Sequence, residues 1–262
     1  MRDPERSGLA STSTSPGMKH EVRDLLAFIR RPRFGPRPNG RQARDGYWQD
    51  WFPAISIKRL VQWAFLLWCV NLLFLGPIAM VAAGFGGASH RLNLAHIPWL
   101  TALLWAPLVE ELVFRHGLRR FKHLWLHLPP AVLALINGPG MTGGLWLCVF
   151  LLLAWIPYSM GVAASRHPMS WRTRRMFRSS FPWIFHFSSV AFSAVHLYNF
   201  NLAQTPLWLL PLLVLPQWVT GLVLGWLRVR RGVGAAIVLH AIFNGGPLLL
   251  VFLMLQYAPH LL

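Results

Sequence analysis

Residues 97–116 read IPWLTALLWAPLVEELVFRH. From Ile97 to Val109 no residue carries a charge, and then Glu110 and Glu111 stand side by side, followed by Leu112, Val113, Phe114 and Arg115. If this run is a membrane helix, each carboxylate costs roughly 2.5–3.5 kcal/mol to insert. Residues that costly face a cavity and carry function. Whether the run is a membrane helix is decided by its surroundings.

The chain of 262 residues is 55% apolar and only 13% charged, with a mean hydropathy of +0.43. A soluble domain carries about a quarter charged residues. The 14 Trp suit membrane interfaces. Six of the eight acids, Asp3, Glu5, Glu21, Asp24, Asp45 and Asp50, lie in the first fifty residues. The other two are Glu110 and Glu111.

Seven apolar segments follow the polar start, at about 60–87, 97–114, 125–138, 144–164, 181–203, 206–227 and 233–256. Most reach the roughly 20 residues that a spanning helix needs. The third is short and holds Pro129 and Pro130, which predicts a broken or tilted helix. The expected fold is all-α, a polytopic membrane protein of about seven transmembrane helices around a central polar cavity. Residues 1–55 form a basic arm, expected to be disordered and cytoplasmic, with a Ser/Thr stretch at 11–15 and one short helix near Glu21 to Arg30. No apolar stretch near the start reads as a cleavable signal, so the first span is expected to direct insertion. Residues 56–262 form the membrane domain.

The basic residues between segments set the orientation. The second, fourth and sixth connections hold Arg115, Arg119, Arg120 and Lys122, then Arg166, Arg172, Arg174, Arg175 and Arg178, then Arg228, Arg230 and Arg231. The opposite connections hold Arg91 and otherwise no Lys or Arg in 139–143 or 204–205. This is the positive-inside pattern, with the N-terminus cytoplasmic and the C-terminus outside. It also accounts for the net charge of +17 without nucleic acid, since no basic stripe with interleaved aromatics occurs on a soluble module. Anionic lipids at the basic cytoplasmic loops are the expected partners of that charge. Cys69 and Cys148 have no CxxC spacing and read as small apolar packing residues. Gly221 and Gly225 form a small-xxx-small spacing for close helix contact.

Three polar clusters lie inside the apolar segments. In the first, Glu111 and Arg115 are four apart on one helix face, acid first, the better orientation for an ion pair. Glu110 points about 100° around the helix and stays available. The alternative is a plain ion-pair staple between helices. The second is Phe192-Ser193-Ala194-Val195-His196, and the third is His240-Ala241-Ile242-Phe243-Asn244. Each of these alone also suits interhelical hydrogen bonding. Counted from the outer ends of their segments, Glu110, His196 and His240 lie roughly 20, 14 and 24 Å deep. They share one central layer if one helix is tilted or broken. His90, His96, His116, His123, His127 and His167 lie near segment ends, and His186 is ten residues before His196, off its face.

In this order the clusters resemble the CPBP family, which contains CAAX prenyl endopeptidases and bacteriocin-processing (Abi) proteins. Its pattern is EExxxR, then FxxxH, then HxxxN, read here at Glu110-Glu111 with Arg115, Phe192 with His196, and His240 with Asn244. The resemblance covers about 97–256. Family members commonly carry Gly after the motif Arg. This chain has His116, a bulkier residue expected to narrow the cytoplasmic mouth.

The resemblance implies an intramembrane endopeptidase acting on a membrane-anchored or prenylated (CAAX-type) protein, a leader peptide or a C-terminal sorting peptide. It implies that Glu110 and His196 activate a water, that His240 and Asn244 supply oxyanion donors, and that Glu111 and Arg115 support Glu110. No cofactor is then required. The rival is zinc held by His196, His240 and Glu110. Against zinc stand the absence of HExxH and of a carboxylate to orient each His. A non-catalytic immunity or scaffold protein and a proton-coupled transporter are the alternatives outside enzymes; a transporter would more often show internal repeats, and none is visible. The unbroken positive-inside pattern leans towards a bacterial inner membrane.

Overall fold

The structure is a computed structural model that describes residues 17–35, 50–91, 97–159, 170–202 and 204–257. The Ser/Thr stretch, Asp3, Glu5, Asp45, His96, Arg166 and His167 lie outside the described residues.

Helices dominate. They are α1 (Met18–Arg30), α2 (Ile57–Gly86), α3 (Ala106–Phe114), α4 (Leu124–Asn137), α5 (Met141–Ser159), α6 (Trp171–Val195), α7 (Leu215–Arg231) and α8 (Val233–Tyr257). The only strands among the described residues are two short ones, Ser89–His90 paired antiparallel with Phe200–Asn201. Helices α2 and α8 are long and apolar enough to cross a bilayer, and Leu207–Leu213 with α7 makes a third candidate bent by 51°. Helices α4 and α5 are apolar and shorter. Large apolar side chains such as Phe65, Leu73, Phe74, Phe85 and Met80 point outwards from α2. A water-soluble protein does not leave such a continuous apolar face uncovered. This is an all-α membrane protein.

Helix α1, within the arm, is amphipathic and folded onto the rest. Leu25 and Phe28 are buried, and the Phe28 ring meets the edges of Phe181 and Phe185 on α6. Its acids face arginines at the end of α7. Glu21 pairs with Arg231 at 3.0 Å and accepts from Trp63 Nε1 at 2.9 Å. Asp24 pairs with Arg230 at 2.7 Å and accepts from Trp226 Nε1 at 2.8 Å. Asp50, just before α2, pairs with Arg228 at 2.7 Å.

Three expected boundaries move. The fifth segment was expected to start at 181, yet α6 starts at Trp171, where Ser170 caps it by accepting from Thr173 N–H. Arg172, Arg174, Arg175 and Arg178 are therefore helical rather than in a loop. The same helix ends at Val195, not near 203, because the chain turns through His196–Asn199 into the small antiparallel pair. At the end of the sixth segment, Arg228, Arg230 and Arg231 likewise continue α7, since their charge is met by the arm's acids. Gly232, at φ 110, then reverses the chain into α8.

Prolines shape two wide turns. Asn71–Leu75 and Thr101–Trp105 are π-helical, and each is followed two residues on by a proline, Pro77 and Pro107. Proline lacks an N–H and its ring clashes with the carbonyl four residues back, and a widened turn relieves both. Both cysteines are free thiols; Cys148 is exposed on α5 rather than buried.

Candidate active site

Helix α3 delivers the two carboxylates at its last turn. Glu111 Oε1 accepts from Arg115 Nη1 at 2.6 Å, the expected pairing one turn apart, with both side chains sealed from solvent. The same oxygen lies 3.0 Å from His240 Nδ1 on α8. Held by Arg115, Glu111 is an acceptor only, so His240 carries its proton on Nδ1 and donates to it. His196 Nδ1 lies 2.9 Å from the carbonyl of Phe192. A carbonyl only accepts, so this nitrogen too carries the proton. In the neutral tautomers that result, both imidazoles present an Nε2 lone pair.

Those two nitrogens lie on either side of one oxygen. Glu110 Oε2 is 4.0 Å from His196 Nε2 and 3.8 Å from His240 Nε2. Neither distance is a direct hydrogen bond. About 4 Å is the spacing that a single bridging water spans. Glu110 and His196 keep 12% and 16% of their side chains accessible, whereas His240 keeps 2% and Glu111 and Arg115 none. The open edge of the cluster is thus Glu110 and His196, with the other three groups behind it.

The depth spread expected from the sequence disappears through a break. His196 sits on the turn where α6 ends, not inside a helix.

Phe192 does more than mark a motif. Its ring lies 3.8 Å under the Arg115 guanidinium and edge-on to both His196 and His240. A Cβ on Gly221 would come within 3.0 Å of that ring and 3.4 Å of Arg115 Nη2. The close contact expected at Gly221 and Gly225 is therefore made by α7 against α6, with Gly225 lying against Phe185. Ser188 donates its hydroxyl to the carbonyl of Phe114, tying α6 to the end of α3.

Asn244 has a structural partner that the sequence did not reveal. In the π turn before α3, Ala106 N–H bonds to Thr101 O. The next carbonyl in that register, Ala102, needs an N–H on residue 107, and Pro107 has none. Asn244 Nδ2 donates to it at 3.1 Å. One amide hydrogen is thus committed to holding α8 against the glutamate helix, and one remains.

Arg228 closes the other end of α3. Its Nε and Nη2 donate to the carbonyls of Arg115 and His116 at 3.0 and 3.2 Å, while Nη1 holds Asp50. Helix C-terminal carbonyls lack partners within the helix, and here the N–H groups of the following turn and a buried guanidinium supply them. His116 does not narrow a mouth. It is buried, with its ring 5.0 Å from that of His127 and 5.2 Å from Phe150. His186 lies off the site, as expected, in a groove beside α1.

The zinc alternative meets a mixed test. The objection that no carboxylate orients a histidine fails at His240, which has Glu111, and His196 has a backbone carbonyl in the same place. The spacing, however, is wider than a bound ion sets. Donors bound tetrahedrally at about 2.05 Å lie roughly 3.3 Å apart, short of the 3.8 and 4.0 Å found here. No group of three or more His, Cys, Asp or Glu among the described residues is arranged to hold an ion.

A family model described as Type II CAAX prenyl endopeptidase Rce1-like matches residues 92–246, more than half the chain and all of the site. The chain belongs to this family. Matches to curated proteins or to solved structures were not found. Membership in this CAAX endopeptidase family makes peptide hydrolysis in the membrane, on a prenylated protein, the activity against which the cluster is to be judged.

Proposed function

We propose that this protein is an intramembrane endopeptidase of the glutamate type. Its substrate is a membrane-anchored protein, a prenylated CAAX-type chain first among the candidates and a leader or C-terminal sorting peptide next. The observation that carries this reading is Glu110 Oε2 standing about 4 Å from two imidazole nitrogens whose other nitrogens are already committed.

A water between Glu110 and His196 gives one hydrogen to Oε2 and the other to Nε2, which leaves a lone pair free to attack the scissile carbonyl. Glu110 takes the proton as the C–O bond forms and returns it to the leaving amine. The oxyanion needs donors preorganised at the site. The uncommitted hydrogen of Asn244 is one. His240 becomes the second by taking up a solvent proton on Nε2 before the peptide binds, because its neutral form has already given Nδ1–H to Glu111. Glu111 stabilises that cation, and Arg115 holds Glu111 in place. Phe192 and Gly221 fix Arg115 in place.

The remaining apolar segments complete seven passes in this reading, with residues 1–55 in the cytoplasm and a bacterial inner membrane as the host bilayer. The outer-partner geometry of His196 and His240 favours zinc as the second reading. Such an ion would be held by those two residues and Glu110 and would polarise the carbonyl and the water.

The test is cleavage of prenylated and transmembrane-tailed peptides by reconstituted protein and by Glu110→Gln, each with and without a strong zinc chelator. Chelator-insensitive cleavage that Glu110→Gln abolishes is the expected result. Loss with chelator and recovery with zinc would overturn the glutamate mechanism and keep the enzyme. Equal cleavage by the variant would sink both.

A further inference from the structure

The sequence Arg30-Arg31-Pro32-Arg33 is not used by the catalytic cluster, nor are Arg178 and His186. The structure puts them together. A groove of about 440 Å³ between the end of α1 and the side of α6 is lined by Arg30, Arg31, Arg33, Arg178, Trp183 and His186 among others, with no carboxylate in its wall. The acids of α1 face the other way, Glu21 and Asp24 being taken by Arg231 and Arg230. Four guanidinium groups from two segments thus converge with no counter-charge among the described residues, an arrangement that a bound anion stabilises.

The position of the groove selects the anion. On α6 the outward side chains up to Arg178 are mostly arginines, with Trp171 70% exposed at the start. Beyond them Trp183, Phe187 and Val190 face outwards at 77, 74 and 49% exposure. The change from arginine to exposed aromatic marks the headgroup level of a bilayer, where Trp collects. Arginine forks match phosphate oxygens at that level. We propose that this groove binds the phosphate headgroup of an anionic glycerophospholipid from the surrounding leaflet. One bound lipid then bridges the arm helix to α6, the helix that leads into His196.

The full-length protein in detergent, titrated with phosphatidylglycerol or phosphatidylcholine and read by native mass spectrometry, tests this. One phosphatidylglycerol is expected to bind in preference to phosphatidylcholine. The variant R31Q/R178Q is expected to bind it roughly 30-fold more weakly, at about fivefold for each surface charge. The single variants should each show the fivefold step, and both residues are exposed, so the fold survives. R172Q, an exposed arginine of the same helix outside the groove, should change little. Equal binding of the two lipids would overturn the proposal. So would equal losses in R172Q and the groove variants, which would mean diffuse attraction to a basic surface. Displacement of the lipid by millimolar inorganic phosphate would also overturn it, in favour of a soluble phosphate site.

Discussion

Replacing either glutamate by glutamine removes one charge and almost no volume, yet the structure predicts opposite outcomes at the two positions. Glu111 is fully buried and meets Arg115 at 2.6 Å and His240 at 3.0 Å. In Glu111→Gln, the guanidinium stays buried without its counter-charge, a loss of about 3–5 kcal/mol. At roughly 2–4 °C per kcal/mol for a chain of this size, the unfolding midpoint should fall by roughly 6–20 °C. Glu110 is different. Its Oε2 is buried with no hydrogen-bond partner, and its nearest imidazoles stand 3.8 and 4.0 Å away. Glu110→Gln should hold or raise the midpoint while activity falls by a factor of about 10³ or more, since base and acid are lost together. Intrinsic Trp fluorescence during heating in detergent reads the midpoint, and peptide cleavage reads activity. The double variant Glu111→Gln/Arg115→Gln should recover part of the lost stability, because the orphaned cation leaves with its partner. A Glu111→Gln midpoint equal to wild type, or a larger fall in Glu110→Gln, would refute this division of labour.

Other expectations can be checked with the same two readouts. Asp50→Ala leaves Arg228 buried beside the carbonyls of Arg115 and His116, so stability should drop by about 3–5 kcal/mol, and Asp50→Asn should keep part of it. Gly221→Ala forces a Cβ against Phe192 at 3.0 Å; a cost of about 1–3 kcal/mol and a lower kcat with little change in KM are expected. Asn244→Leu strands the carbonyl of Ala102, at about 1–3 kcal/mol, and removes the proposed oxyanion donor, which on that proposal lowers kcat by about 10²–10³.

The carboxylate pair and the two histidines were legible because an ionisable group in an apolar run is conspicuous wherever it occurs. Their mutual geometry was not. Glu111 and His240 are 129 residues apart, and nothing local in either helix says that one orients the other. The role of Asn244 also hides, since the carbonyl it satisfies is orphaned by a proline in a different helix. The extent of α7 was misjudged for a related reason. Counting arginines treats each as a solvated charge, whereas Arg228 and Arg231 are buried and paired with acids of the arm. The arm read as solvated because its composition is polar. Yet Leu25 and Phe28 give α1 one apolar stripe, and Glu21 and Asp24 answer arginines that the sequence places far downstream.

The bonds of Trp226, Arg230 and Arg231 to α1 span 202, 206 and 210 residues. During synthesis α1 therefore emerges some 200 residues before the partners it waits for. Contacts this distant close late. Until they do, Arg230 and Arg231 of α7 lack the acids of α1 that pair with them. The arm is thus joined to the membrane helices by the contacts most distant in sequence, and its docking comes after the closer pairing of Glu111 with His240, 129 residues apart.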